Sequence, residues 1–132
     1  MDTIRILIVD DQPIVLRLLA RFFKSTGWNY QLESAQDGNE AIARINSFDP
    51  DLVVLDVDLP AKSGFEVCSL IKQRARTKPV VVVAISGRDT PERRERMKEA
   101  GADEFLGKPF TLEDLIREIA KYFPLPDPPA AA

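Results

Sequence analysis

In the stretch Ile4-Arg5-Ile6-Leu7-Ile8-Val9-Asp10-Asp11-Gln12-Pro13, an apolar run of strand length ends in two carboxylates, and a proline follows. Continuous aliphatic runs of this kind fit strands buried on both faces, the habit of parallel sheets. Pro13 suits the first turn of a helix. The same order of strand, polar residue and helix recurs along the chain. Leu52-Val53-Val54-Leu55 ends in Asp56, and Val80-Val81-Val82-Val83-Ala84-Ile85 ends in Ser86. The weaker run Glu104-Phe105-Leu106-Gly107 leads into Lys108. In a parallel α/β sheet all strands open their carboxyl ends onto one rim, where ligands bind. Three carboxylates, a hydroxyl and an ammonium are therefore expected in one pocket, a set that suits a divalent cation and a phosphoryl group.

Outward from these runs the chain alternates strand and helix throughout. Strands are expected near Ile4–Asp10, Gln31–Ala35, Leu52–Asp56, Val80–Ser86 and Glu104–Gly107. Helices are expected over Pro13–Thr26, Asn39–Phe48, Phe65–Arg74 and Pro91–Ala100. Thr90 is a natural N-cap for the fourth helix and Gly101 a natural stop. A fifth helix carries Leu112, Leu115, Ile116, Ile119, Ala120 and Phe123 at i, i+3, i+4, i+7 spacing and closes the fold near Phe123. Five βα units with right-handed crossovers give a doubly wound, five-stranded parallel sheet between two helical layers, a flavodoxin-like α/β sandwich. The strand order 2-1-3-4-5 suits five strands, with its switch point between the first and third, where Asp10, Asp11 and Asp56 end. Residues 1–123 read as one domain, and the proline- and alanine-rich stretch 124–132 as a tail or linker stub with little to pack.

Composition narrows the function. At 132 residues the chain is one domain, 45% hydrophobic and 30% charged, within the ordinary globular range. A net charge of -3 argues against direct nucleic-acid binding. No apolar run approaches the roughly 18 residues of a membrane span, and the N-terminus lacks signal-peptide character; a cytoplasmic location is expected. Cys68, the single cysteine, reads as a small buried hydrophobe. The absence of histidine excludes a Ser-His-Asp triad, an imidazole metal ligand and a phosphohistidine relay within these residues.

The aspartates carry the chemistry. Unit charges about 5 Å apart at an effective dielectric near 20 repel by roughly 3 kcal/mol per pair. Three such pairs rival the stability of a domain, so the cluster needs a raised pKa or a cation. Hard oxygen ligands without His or Cys select Mg²⁺, with Mn²⁺ as a substitute. Asp56 is the candidate nucleophile, since a carboxylate can attack phosphorus to form an acyl phosphate. Lys108 would contribute a point charge with three donors, and Ser86 a hydrogen bond to the phosphoryl group.

The pieces IVDDQP, VVLDVDLPAKSG, VVAISG and FLGKPF resemble the receiver domains of two-component response regulators, the chemotaxis regulators among them. Gly64, Ser86 and Lys108 lie 8, 30 and 52 residues after Asp56, as that resemblance requires. The resemblance implies phosphorylation of Asp56 by a histidine kinase or a histidine phosphotransfer protein. It also implies Mg²⁺ held by Asp10, Asp11, Asp56 and the main-chain carbonyl of Asp58, with Ser86 and Lys108 on the phosphoryl group. Ser86 and Phe105 would form the switch, and the Lys108–Pro109 peptide would be cis. The signal would pass to a downstream protein target or an output domain outside these residues, on the face of helix four, strand five and helix five. The domain would act as a signalling module rather than an enzyme, catalysing only its own phosphotransfer and slow hydrolysis.

Asp58 and Arg88 occupy positions that influence phosphoryl lifetime in the family; an acid at Asp58 either steers water or pairs with Arg88. Glu118 stands where winged-helix regulators carry an arginine of their dimer interface. Helix four offers only Met97 and Ala100 as apolar anchors, so it is expected to be weakly held. The rival readings are a receiver-like module that is never phosphorylated and a haloacid-dehalogenase-type phosphatase suggested by Asp56-Val57-Asp58. That phosphatase class places its DxD on the first strand, however, and there is no room for a cap domain. A flavodoxin-like flavin carrier is disfavoured because Asp10-Asp11 would repel a phosphate.

Overall fold

A computed structural model describes residues 3–60, 62–74 and 79–126. Its elements follow the expected alternation: β1 (Ile4–Val9), α1 (Pro13–Ser25), β2 (Tyr30–Ala35), α2 (Gly38–Phe48), β3 (Leu52–Asp56), α3 (Gly64–Arg74), β4 (Val81–Ser86), α4 (Pro91–Glu99), β5 (Glu104–Gly107) and α5 (Leu112–Ala120). All neighbouring strands pair in parallel, in the order β2-β1-β3-β4-β5. The expected doubly wound sheet is therefore present.

Period-two alternation along the central strands divides the core. Leu7, Val9, Val53, Leu55, Val82 and Ala84 face α2, α3 and α4, where they meet Ala41, Ile45, Val67, Cys68, Ile71 and Met97. Ile6, Ile8, Leu52, Val54, Val83 and Ile85 face α1 and α5, where they meet Leu16, Leu19, Phe23, Leu115 and Ile119. Every residue of β3 is buried, whereas the edge strand β5 is only half-buried along its length. Cys68 lies in the first cluster, where burial pushes its thiol up to about 11, so it is a packed hydrophobe as expected.

The helix ends follow local chemistry. Thr90 caps α4 by accepting from the Arg93 N–H at 3.2 Å, and Pro91 opens the helix. Thr111 and Asp114 form a reciprocal capping box on α5. Gly101 follows α4 with φ +106°, a conformation that favours glycine. α5 is shorter than expected: it ends at Ala120, and Phe123 packs against the core from the following turn. The first residues of the tail also differ from expectation. Leu125 packs against the α1/α5 cluster, and the Trp28 indole N–H donates to the Pro126 carbonyl at 2.9 Å. Tail residues 127–132 lie outside the described residues.

Candidate acidic phosphoryl-acceptor site

Strand register assembles the site. Val9 of β1 pairs with Leu55 of β3, so the residues that follow them, Asp10 and Asp56, emerge side by side. Ser86 ends β4 opposite Gly107 of β5, which places Lys108 one residue beyond it. The Lys108 N–H donates to the Ser86 carbonyl at 2.7 Å, and the Lys108–Pro109 peptide is cis, as the resemblance implied. Carboxylate oxygens of Asp10, Asp11 and Asp56 all lie within 4.8 Å of one another. Asp10 and Asp56 are buried and Asp11 is exposed at the mouth.

These carboxylates are short of partners. Asp10 Oδ1 accepts from the Gln12 N–H at 2.9 Å, but its buried Oδ2 has no hydrogen-bond partner. Lys108 Nζ stands 3.9 Å from that oxygen, near enough for attraction and too far for a hydrogen bond. Asp56 Oδ1 accepts from the Asp58 N–H at 3.0 Å. Burial, reinforced by the charges of Asp56 and Asp11, pushes the Asp10 carboxyl up to about 6. Asp56 is also raised, by burial first, against the opposing effects of the Asp58 N–H and Lys108. A buried carboxylate oxygen without a partner, facing two more carboxylates, fits a hard divalent cation.

Backbone approach beneath the site depends on Gly64. Its N–H donates to the Val57 carbonyl at 3.0 Å, and a Cβ there would stand 2.4 Å from Val57 Cα. Gly64 therefore lies against the Val57 backbone, next to Asp56 in the chain, which accounts for a glycine at this position.

On the hydroxyl side of the site, the pairing of Asp58 with Arg88, one of the two sequence-based alternatives, does not form. Asp58 does not turn to Arg88. Its Oδ1 pairs with the Arg93 guanidinium from α4, and its Oδ2 accepts from Ser86 Oγ at 3.0 Å. Arg88 contributes backbone instead: its N–H donates to Ser86 Oγ at 3.0 Å, and its carbonyl accepts from Arg93 Nε at 3.0 Å. Sequence reasoning missed Arg93 as a site residue. A signal was available, because a cation in the first turn of a helix opposes the macrodipole and calls for a compensating partner. Phe105 lies on β5, away from the aspartates, with the Arg94 guanidinium 5.0 Å from its ring centroid.

The model of the response regulator receiver domain matches residues 6–120. The chain belongs to that family. The receiver domain is 37% identical over 129 residues to the transcriptional regulatory protein TcrA of Mycobacterium tuberculosis, covering 96% of this chain and 49% of the relative. It is 42% identical over 113 residues to the response regulator MprA of Mycolicibacterium vanbaalenii, covering 86% of this chain and 47% of the relative. The chain thus spans about half the length of the curated relatives it matches. Among solved structures, the chemotaxis protein CheY4 of Vibrio cholerae superposes with a TM-score of 0.84 at 26% identity, over 92% of this chain and all of that one. A CheX-CheY-BeF3-Mg complex from Borrelia burgdorferi superposes with a TM-score of 0.80 at 26% identity, over 89% of this chain and 87% of that one. The receiver-domain match does not favour the phosphatase alternative. No helix among the described residues is long and apolar enough to cross a membrane.

Proposed function

We propose that this receiver domain is a phosphorylation-activated switch whose acceptor is Asp56. The observation that carries the reading is the convergence of the Asp10, Asp11 and Asp56 carboxylates within 4.8 Å around a buried oxygen without a partner. Asp10, Asp11 and Asp56 would hold Mg²⁺, with the Asp58 main-chain carbonyl as a further ligand. Mg²⁺, when bound, supplies charge neutralisation for the phosphoryl oxygens. A structural neighbour, the CheX-CheY-BeF3-Mg complex from Borrelia burgdorferi, supports the reading that a receiver of this fold takes Mg²⁺.

The residues divide the work. The donor is a phosphohistidine outside these residues, on a histidine kinase or a phosphotransfer protein, because these residues contain no histidine. An Asp56 carboxylate oxygen forms the new O–P bond as the donor's N–P bond breaks, and the released imidazole nitrogen takes up a proton from solvent. Lys108 places its ammonium beside the acidic cluster, where it attracts a phosphoryl oxygen. Ser86 offers its hydroxyl to another. Hydrolysis of the acyl phosphate returns the domain to its starting state, so its role is signalling rather than turnover of a substrate.

The signalling unit comprises residues 1–123, with 124–132 as a tail or linker stub. Output then lies with a separate protein target or with an output domain outside these residues, in keeping with relatives about twice as long. The domain itself makes no direct nucleic-acid or membrane contact and works in the cytoplasm. Incubation with acetyl phosphate and Mg²⁺ should add one phosphoryl mass that hydroxylamine removes. Asp56→Asn should take up none; unchanged labelling in that variant would refute the assignment.

A further inference from the structure

We propose that Asp58 and Arg93 form a latch on Ser86, tying α4 to the acceptor site until Ser86 turns to the phosphoryl group. This rests on the reading of Asp56 as the acceptor. Three facts carry it.

The first is the full occupancy of Ser86 Oγ. A hydroxyl has one proton to give and two lone pairs to receive. The Ser86 proton goes to Asp58 Oδ2 at 3.0 Å, with the Arg88 carbonyl a more distant alternative at 3.3 Å. Its lone pairs receive the Arg88 N–H at 3.0 Å and Arg93 Nη2 at 3.3 Å. A phosphoryl oxygen that takes the Ser86 proton must therefore take it from Asp58.

The second is the reach of Arg93. One guanidinium contacts Asp58 after β3, Ser86 at the end of β4 and the Arg88 carbonyl in the loop before α4. It also lies 5.3 Å from the ring centroid of Phe65 on α3. Its side chain is only 20% exposed, although most of α4 faces solvent. The third is the weakness of α4 elsewhere, since Met97 is its one buried side chain. An element held this lightly shifts when one strong contact changes.

Together these make Arg93 a positioning residue. Phosphorylation adds negative charge beside the guanidinium and removes the Ser86 proton from Asp58. As Ser86 turns it leaves Arg93 Nη2, and the phosphoryl group competes with Asp58 for the guanidinium, so Arg93 gives up its present arrangement and α4 is released with it. Coupling of this kind is reciprocal: if phosphoryl binding opens the latch, removing the latch must tighten phosphoryl binding.

The test uses beryllium fluoride with Mg²⁺ as the phosphoryl mimic, titrated by calorimetry into the wild type, Asp58→Ala, Arg93→Gln, the double variant and Arg96→Gln. Acetyl phosphate labelling of the wild type serves as the control. Asp58→Ala and Arg93→Gln should each tighten mimic binding by about fivefold, the size of one net hydrogen bond. The double variant should be no tighter than either single one. Arg96 lies on the same helix over the same Phe65 ring, at 4.0 Å, but carries no contact to Ser86 or Asp58 in the latch. Arg96→Gln should therefore leave the mimic's affinity unchanged, whatever it does to helix stability. Unchanged or weaker binding in Arg93→Gln, additive effects in the double variant, or an equal gain in Arg96→Gln would each overturn the latch. A wild type that takes no label from acetyl phosphate would instead overturn the acceptor reading on which the latch depends.

Discussion

The strands that carry the aspartates and the edge that faces α4 are built on different principles. β1 and β3 sit at the centre of the sheet, and Leu7, Val9, Val53 and Leu55 are fully buried below Asp10 and Asp56. At the other side, β5 is half-buried throughout and α4 buries Met97 alone. Arginines supply what apolar packing there does not. Arg93 and Arg96 lie over Phe65, and Arg94 lies over Phe105 while pairing with Asp89. Cation–π contacts contribute about 0.5–1 kcal/mol each at exposed sites, less than a fully buried aliphatic side chain. The chemistry therefore stands on a rigid floor, and the adjoining helix is held by contacts that can be exchanged.

The largest expected effect tests the floor. Leu55→Ala should destabilise the whole domain by about 2–5 kcal/mol, read as a lower denaturant midpoint with an unchanged m-value. A smaller global loss than for the equally buried Met97→Ala would reverse the contrast between the two regions.

Next in size is the electrostatic cost stored in that floor. With its carboxyl raised to about 6, Asp10 binds its proton more tightly in the folded chain than in the unfolded one. Its contribution is therefore full below the unfolded value and is lost as pH rises through about 6. Asp56 is displaced in the same direction. Metal-free protein should lose stability between about pH 4 and 7 from these groups, on the order of 2–3 kcal/mol for Asp10. Thermal melts without metal should show Asp10→Asn more stable than wild type at pH 7, with the order reversing once Mg²⁺ is saturating. A wild type that is insensitive to both pH and Mg²⁺ would show that the cluster stores no such cost.

The edge is tested by hydrogen exchange. Amides of α4 should be less protected than those of α5 by about tenfold or more, because α5 buries both Leu115 and Ile119 and carries a capping box. Beryllofluoride should change protection in α4 and leave β3 unchanged. Equal protection of the two helices, unaltered by the mimic, would break the comparison.

The smallest effect lies at the opposite rim of the sheet, where Trp28 precedes β2 and binds the tail. Deleting residues 124–132 should cost about 1 kcal/mol, roughly one buried hydrogen bond, and shift Trp28 emission to the red. Mg²⁺ should leave that emission unchanged, since Trp28 stands at the end of the strands away from the aspartates. A large Mg²⁺ response would place the ring in communication with the site.

Much of this was legible in the residues alone. Unbroken aliphatic runs such as Leu52–Leu55 specify strands buried on both faces, and a parallel sheet then places their terminal residues on one rim. The acidic trio and Lys108 followed from that logic, because backbone direction and apolar periodicity are local properties, and the strand order followed from which common doubly wound order suits five strands. The exact end of α5 did not follow: Phe123 continues the apolar stripe but packs from a turn, since periodicity records burial and not hydrogen bonding. The packing of Leu125 and the Trp28–Pro126 bond were equally invisible in a proline-rich stretch.

The partner of Asp58 shows where that logic ends. The sequence left Asp58 either to steer water or to pair with Arg88, but the guanidinium that arrives is Arg93, brought round by the first turn of α4. Local periodicity determined which elements form and which residues reach the rim. The choice among several arginines on one exposed helix was made by helix rotation and loop path. Those depend on how Met97 and Phe65 pack, contacts between residues far apart in the chain, and only the tertiary structure contains them.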